Sequence, residues 1–263
     1  MTAGSWCFLL ILGLAHRGSA FFLDSHCSSR NPKSFVSTEK PWMALIASPT
    51  RNCSGVLIKN QYVMTSASCV FDQRDSVVWL GKFLNLTDNQ RRRDVKHFVQ
   101  GVYTHKLYNK HTLEHDIALL ILDGPVTYQK SILPICIWLG EIANLNNLKA
   151  HRWGLSKQLI FQRRNSVEIL NVEKCRDSFG VTIQKSQICA GFKGSKNCTE
   201  PGSPLVKEIS FSKRKWNILI GIQSDGVLHT CIYNNISNYI DWIVGIVLSV
   251  DVILSNSSEI GTL

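Results

Sequence analysis

Short stretches rich in valine, isoleucine and leucine recur along most of the chain, separated by asparagine, aspartate, serine and glycine. This spacing predicts the strands of an all-β sandwich or barrel. A helical pattern is clear only near the end, at residues 238–247. The predicted strands are residues 43–47, 55–57, 62–65, 77–80, 95–103, 117–122, 167–172, 205–206 and 218–223.

A polar, asparagine-rich stretch at residues 139–150 divides the strands into two groups. We predict that it is the crossover between two barrels. Residues 243–254 are strongly apolar, but Asp251 interrupts them, and a membrane span needs about 20 such residues. They form either a helix end packed on the body or an apolar tail, and the sequence leaves both open.

The first 20 residues resemble a targeting signal. An apolar run from Trp6 to Leu14 precedes the small residues Gly18, Ser19 and Ala20, where signal peptidase can cut. The run is too short to span a bilayer. We therefore predict a cleaved signal peptide at residues 1–20, a secreted extracellular protein, and no transmembrane segment.

Cysteines and glycosylation sequons agree with secretion. Of nine cysteines, Cys7 lies in the predicted signal, which leaves eight, an even number suited to disulfides in an oxidising compartment. Sequons that could carry N-linked glycans begin at Asn52, Asn85, Asn197, Asn235 and Asn256.

The chain is basic, with a formal net charge of +10, and its densest basic runs are residues 91–93 and 213–215. We interpret these runs as solvated loop tips, with binding of an anionic glycan or surface as the alternative. No aromatic residues are interleaved with them, which argues against a nucleic-acid partner.

No motif predicts a metal or a cofactor. The composition is that of a globular protein and excludes disorder.

Eight local motifs, in order along the chain, resemble the trypsin/chymotrypsin-like serine proteases. They are PWMA from Pro41, CSGVLI from Cys53, VMTSASC from Val63, HDIALL from His115, LPIC from Leu133, WG from Trp153, SQICAG from Ser186 and NYIDWI from Asn238. The resemblance implies two six-stranded antiparallel β-barrels and a C-terminal helix. The protease-like domain would be residues 41–247, preceded by an extension at 21–40 and followed by a tail at 248–263.

The same resemblance implies a disulfide pairing that uses every remaining cysteine once. The implied pairs are Cys27–Cys136, Cys53–Cys69, Cys175–Cys189 and Cys198–Cys231. The first of them would tie the N-terminal extension to the body of the protein.

Two members of the catalytic triad are replaced. The family's aspartate matches Asp116, but its histidine matches Ser68, and a serine hydroxyl cannot act as a base at neutral pH. The family's nucleophilic serine matches Pro201, which has neither a hydroxyl nor a backbone N–H group. His115 adjoins Asp116 but would point to the opposite face of a strand, so we do not expect it to be a substitute base.

The surroundings of the nucleophile also depart from the family pattern. The segment from Cys198 to Leu205 is one residue shorter than C-x-G-D-S-G-G-P-L, and the shortening removes the glycine that supplies an oxyanion donor. Ser203 is the only serine near the missing nucleophile, two positions too late.

Activation and substrate recognition are altered as well. Glu200 replaces the aspartate that pairs with the new amino terminus of active members, and residues 30–35 contain no IVGG. Lys196 stands where trypsin-like members carry an acid, either as a cationic pocket floor or pointing to solvent from a collapsed pocket. The S-W-G wall reads Ser224-Asp225-Gly226.

These departures favour a secreted, non-catalytic protease homologue. We expect it to bind extracellular proteins, such as active proteases or their substrates, as a cofactor, regulator or decoy in a proteolytic cascade. The alternatives are a rearranged serine-type endopeptidase that uses Ser203, and a protein that binds anionic glycans.

Overall fold

The computed structural model of the chain describes residues 22–27, 29–30, 40–71, 76–81, 96–142, 144–156, 159–192 and 198–250. Its architecture is two closed barrels of antiparallel strands followed by a C-terminal helix. The predicted fold class is therefore confirmed. The predicted signal peptide and most of the predicted C-terminal tail lie outside the described residues.

The first barrel is closed by six strands in the order β2-β3-β4-β7-β6-β5. Alternate residues of its strands point inward, so Ala44, Ile46, Leu57, Val78 and Leu120 are buried together in its core. The strands are β2 (Met43–Ala47), β3 (Asn52–Lys59), β4 (Tyr62–Thr65), β5 (Val77–Leu80), β6 (Lys96–Thr104) and β7 (Ala118–Leu122).

The second barrel closes in the order β12-β11-β8-β9-β10-β13, with β13 pairing back onto β12. Strand β1 (Ser29–Arg30) adds to the outside of β12 at Lys215 and Trp216. The six barrel strands are β8 (Lys149–Ser156), β9 (Leu159–Ile169), β10 (Gln187–Phe192), β11 (Pro204–Phe211), β12 (Arg214–Val227) and β13 (Thr230–Asn235).

Two helices flank the barrels. Helix α1 (Val172–Phe179) begins where the Asn171 side chain accepts a hydrogen bond from the Glu173 N–H, and it ends at Gly180 in the left-handed conformation. A 3-10 turn (Ile236–Tyr239) leads into α2 (Ile240–Leu248). Ile243 of α2 is buried with Met64 of the first barrel and Ile222 of the second, so one apolar cluster joins all three parts.

The N-terminal segment is part of the packed structure. The Phe22 ring stacks on Trp216, with 4.6 Å between ring centroids, and meets Trp138 edge-on at 5.3 Å. Four disulfides join the cysteine pairs that the resemblance implied. Of these, Cys27–Cys136 fixes the segment to the body beside the Phe22 contact.

Several predicted elements need correction. The strand predicted at 167–172 is wrong at its end, because β9 stops at Ile169 and Val172 already starts α1. Helix α1 was not predicted, since it has only eight residues and Cys175 is its only buried one. Strands β8, β10 and β13 were also missed, and the predicted crossover at 139–150 ends at residue 148, where β8 begins.

Candidate functional site

Asp116 lies just before β7 in the cleft between the barrels, and its side chain is fully buried. Its Oδ1 accepts a hydrogen bond of 2.6 Å from the Ser68 N–H, and its Oδ2 accepts one of 2.6 Å from the Ser224 hydroxyl. Its backbone carbonyl accepts a third, of 2.7 Å, from the Asn234 side chain. The structure thus brings together three of the residues singled out from the sequence, Ser68, Asp116 and Ser224.

Ser68 presents no base to this carboxylate. Its hydroxyl donates to Ser66 Oγ at 3.2 Å, and its carbonyl oxygen accepts a hydrogen bond from the guanidinium of Arg51. Arg51 therefore brings a permanent positive charge near Asp116, at a place where an enzyme of this kind would need a group that can exchange a proton.

His115 does not replace the missing base. Its ring stacks on His105 with 4.6 Å between centroids, and its Nδ1 lies 3.3 Å from the Tyr239 hydroxyl. The side chain of Asp116 instead faces Ser68 and Ser224. The expected reason was wrong, because His115 lies in a turn with φ +52 before β7 and not on a strand, and this turn directs its ring away from Asp116.

Burial raises the pKa of Asp116, while the hydrogen bonds from Ser224 and Ser68 and the charge of Arg51 act in the opposite direction. A carboxyl whose pKa is higher in the folded than in the unfolded state binds more protons when folded. Its charged form therefore destabilises the fold as the pH rises above the unfolded pKa of about 4.

We predict that Asp116→Asn stabilises the protein near pH 7. The amide keeps an acceptor for Ser68 and can donate to Ser224, but it carries no buried charge. A stabilisation of about 1 kcal/mol would raise Tm by roughly 2–4 °C, and the gain should shrink towards pH 3, where Asp116 is neutral in both states. Thermal unfolding between pH 3 and 8 measures this, with exposed Asp177→Asn as the control. An Asp116→Asn variant less stable than the parent at pH 7 would contradict it.

The segment that is expected to carry the nucleophile is hydrogen-bonded to the interior of the protein. Pro201 offers a carbonyl to the Ser54 N–H at 3.0 Å. Gly202 has φ +80, and a Cβ there would lie 1.9 Å from the Ser54 carbonyl oxygen, so only glycine fits this close approach. Ser203 is fully buried, and its hydroxyl donates to Gln223 Oε1 at 2.9 Å.

The backbone of this segment offers few free donors to an oxyanion. The Cys198 N–H donates to the Val227 carbonyl at 3.2 Å, the Gly202 N–H to the Gln223 carbonyl at 2.8 Å, and the Ser203 N–H to the Glu200 carbonyl at 3.2 Å. Pro201 has no N–H group. Pro201 and the two residues that follow it therefore offer no free backbone N–H group to a tetrahedral intermediate.

Glu200 is held by internal partners. Its Oε1 accepts hydrogen bonds from the Ser54 hydroxyl and, at 2.8 Å, from the Trp153 N–H. Burial raises its pKa, against the opposing effects of those two bonds and of the charges on Arg152 and Arg163. The carboxyl thus has donors without a newly formed amino terminus.

The walls of the region expected to bind a substrate side chain are in contact. A Cβ on Gly226 would lie 1.5 Å from the Cys198 carbonyl oxygen, so the two backbones touch. After an irregularity in the strand pairing at Ser224, the chain forms a tight hairpin in which Gly226 pairs with Cys231. Asp225 Oδ1 accepts the Gly226 N–H at 2.7 Å. No space is left between the backbones of Cys198 and Gly226 themselves.

Other predicted site residues are spread over the surface. Asn52 is exposed at the start of β3, and Asn235 is half-buried at the end of β13. Lys196, Asn85, Asn197 and Asn256 lie outside the described residues, so the cationic pocket floor stays a prediction. Sequence reasoning did not identify Arg51, Ser54 or Gln223 as site residues, because each makes its contact with a different segment of the chain.

Over the part of the chain that the structure describes, no helix is long and apolar enough to cross a membrane. Within the same residues, no group of three or more histidine, cysteine, aspartate or glutamate side chains could hold a metal ion.

Comparisons with known proteins agree on one family. A family model described as Trypsin matches residues 30–243. Coagulation factor IX of Cavia porcellus is 30% identical over 227 residues, covering 77% of this chain and 75% of that protein. Vitamin K-dependent protein C of Oryctolagus cuniculus is 27% identical over 230 residues, covering 78% and 49% respectively. The chain thus spans about half the length of the protein C relatives that it matches.

Solved structures support the fold. The Drosophila Grass clip serine protease of the Toll pathway matches with a TM-score of 0.66 and 22% identity, covering 84% of this chain and 74% of that one. At this identity the likeness bears on the fold alone.

Proposed function

Because the chain belongs to the trypsin family, we propose that it is a secreted, non-catalytic member that acts by binding other extracellular proteins. The observation that carries the proposal is the pair of replacements Ser68 and Pro201 at the positions of base and nucleophile. Either replacement alone removes a group that takes part in bond cleavage. The contact between the backbones of Cys198 and Gly226 also supports the proposal, because it narrows the region expected to bind a substrate side chain.

An extracellular location is supported by two independent features. The chain carries four disulfides, which persist in oxidising compartments. It also begins with the predicted signal peptide at residues 1–20.

Binding of proteins is supported by what the chain has kept. Both barrels, the disulfides and the buried Asp116 remain although catalysis is lost, so the scaffold itself is what the chain can offer to a partner. Among the relatives, coagulation factor IX of Cavia porcellus is named for coagulation. We propose a cofactor, regulator or decoy in a proteolytic cascade, with an active protease or its substrate as the partner.

The two alternatives have less support. Ser203 would have to leave a fully buried position and its bond to Gln223 before it could attack a substrate. In the basic run at 213–215, Lys215 forms a salt bridge of 2.7 Å with Glu208, which reduces the charge available to an anionic glycan. The run at 91–93 lies outside the described residues.

The absence of catalysis is tested on the mature secreted protein. We expect no cleavage of peptide libraries and no labelling by a fluorophosphonate probe, under conditions that label an active trypsin-family protease completely. Ser203→Ala serves as the control for the rearranged enzyme. If the parent protein cleaves peptides and the Ser203→Ala variant does not, the proposal is overturned. If both proteins cleave peptides, a second purification tests whether the activity comes from a contaminating protease.

The proposed binding of other extracellular proteins is tested in the native fluid into which the protein is secreted. We expect immunodepletion of the chain to change the rate at which endogenous proteases are activated, and add-back of the purified chain to restore that rate. An unchanged rate over a tenfold excess of added protein would contradict a role in a cascade.

A further inference from the structure

A cleft of about 140 Å³ opens beside the second barrel, and none of Ser68, Asp116 and Pro201 lines it. Its walls come from the crossover between the barrels, from β12 and from the turn before α2. The lining is largely apolar and includes Trp138, Ile142, Leu145, Ile236 and Ile240. Apolar surface that is left open in this way needs an occupant or a functional reason.

The same cleft contains a complete glycosylation sequon. Asn235, Ile236 and Ser237 all line it. The Asn235 side chain accepts hydrogen bonds from the Ser237 hydroxyl at 3.0 Å and from the Ser237 N–H at 3.4 Å. Both bonds use the carbonyl oxygen of the side-chain amide and not the nitrogen that would carry a glycan. Asn235 is half-buried, so a sugar attached to it starts within the cleft.

The chemistry of the cleft suits one face of a sugar residue, whose remaining atoms lie outside its opening. The C–H face and the acetyl methyl of N-acetylglucosamine can pack on aliphatic side chains and on an indole ring. Trp138 is half-buried and fixed in orientation, because its indole N–H donates to the Glu141 carbonyl at 3.2 Å and the Phe22 ring packs against it.

We propose that Asn235 carries an N-linked glycan whose first N-acetylglucosamine packs in this cleft and covers its apolar floor. The proposal rests on the proposed secretion, since the glycan is added in the secretory pathway before the chain folds. The sugar then becomes part of the folded surface between the crossover and α2, a place that protein side chains leave unfilled.

The first experiment identifies the modification. The chain is expressed in mammalian cells that make only high-mannose glycans, and the Asn235 peptide of the secreted protein is analysed by mass spectrometry. We expect Asn235 to be modified. Unmodified Asn235 in protein recovered from the medium overturns this proposal and leaves the non-catalytic role untouched, whereas a chain that never reaches the medium counts against secretion itself.

The second experiment asks where the first sugar lies. Endoglycosidase H trims each glycan to a single N-acetylglucosamine, and Ser237→Ala removes the glycan at Asn235 altogether. We expect the trimmed protein to keep its Tm and the Ser237→Ala variant to lose at least about 2 °C, while Ser237→Thr, which preserves the sequon, restores both glycan and Tm.

Asn52 supplies the matched control, because its sequon is exposed at the start of β3. Asn52→Gln should leave Tm unchanged. If the Ser237→Ala variant is not secreted, hydrogen exchange at residues 236–240 is compared between the trimmed protein and the fully deglycosylated protein. We expect these residues to exchange faster only after the whole glycan has been removed. Equal Tm, or equal exchange, with and without the first sugar would place the glycan in solvent and overturn the proposal.

Discussion

Restoring the triad by Ser68→His and Pro201→Ser is expected to leave the protein unable to cleave peptides. The double variant regains a base beside Asp116, a hydroxyl, and the backbone N–H of residue 201. It does not regain the residue missing between Cys198 and Glu200, which in the family supplies the second oxyanion donor. Loss of one such donor costs about 10²–10³ in kcat.

The contact between the backbones of Cys198 and Gly226 adds a separate obstacle, because the family resemblance assigns Gly226 to the wall of the substrate site. Without binding of a substrate at that wall, a peptide bond is not held near the nucleophile, and the advantage of orientation is lost. We therefore expect no detectable hydrolysis of peptides by the double variant, even if the serine introduced by Pro201→Ser reacts with a small probe.

Two measurements separate these causes. A fluorophosphonate probe tests the serine with little need for the pocket, and we expect labelling at least about 100-fold slower than in an active relative. Insertion of a glycine after Thr199 into the double variant should speed the labelling but still give no peptide cleavage. The matched control is an active relative that carries the reverse replacements, which should lose both reactions. Peptide cleavage by the double variant at the rate of an active relative would show that the pocket is open.

The barrels were predictable because their strands carry local signals. The predicted bounds of β2, β4 and β5 match the observed ones, because each is a short run rich in apolar residues next to turn residues. Of the three, only β5 alternates strictly between buried and half-buried positions. Among the missed strands, β8 begins inside an asparagine-rich stretch that is typical of a loop, and β10 is buried along its whole length and shows no alternation.

The residues of the site were predictable only as far as motifs carry them. Ser68, Asp116 and Ser224 were singled out from three separate motifs, and they lie within hydrogen-bonding distance in the fold. The bond between Ser54 and Glu200 joins residues 146 positions apart, and nothing near either of them announces the other. Contacts of that kind became visible only in three dimensions.

Gly226→Ala is expected to be among the most damaging single substitutions in the chain. The new methyl group would lie 1.5 Å from the Cys198 carbonyl oxygen and 2.4 Å from its Cβ. Neither wall can move aside easily, because Cys198 is bonded to Cys231, and Cys231 pairs with Gly226 across the hairpin. Added volume in a packed core costs about 1–3 kcal/mol when side chains can adjust, and the obstruction here is backbone. We expect a loss of at least about 3 kcal/mol.

The result is measured by chemical unfolding of purified protein and by the amount secreted, since a loss of this size removes much of the stability of an ordinary domain. Gly124→Ala is the matched control, because a Cβ there meets nothing within 4 Å. The cost should also fall when Cys198 and Cys231 are both replaced by alanine, because the wall that opposes the methyl group can then shift, and the two changes become non-additive. A Gly226→Ala protein as stable as its parent would mean that the two walls stand apart and that the pocket can open.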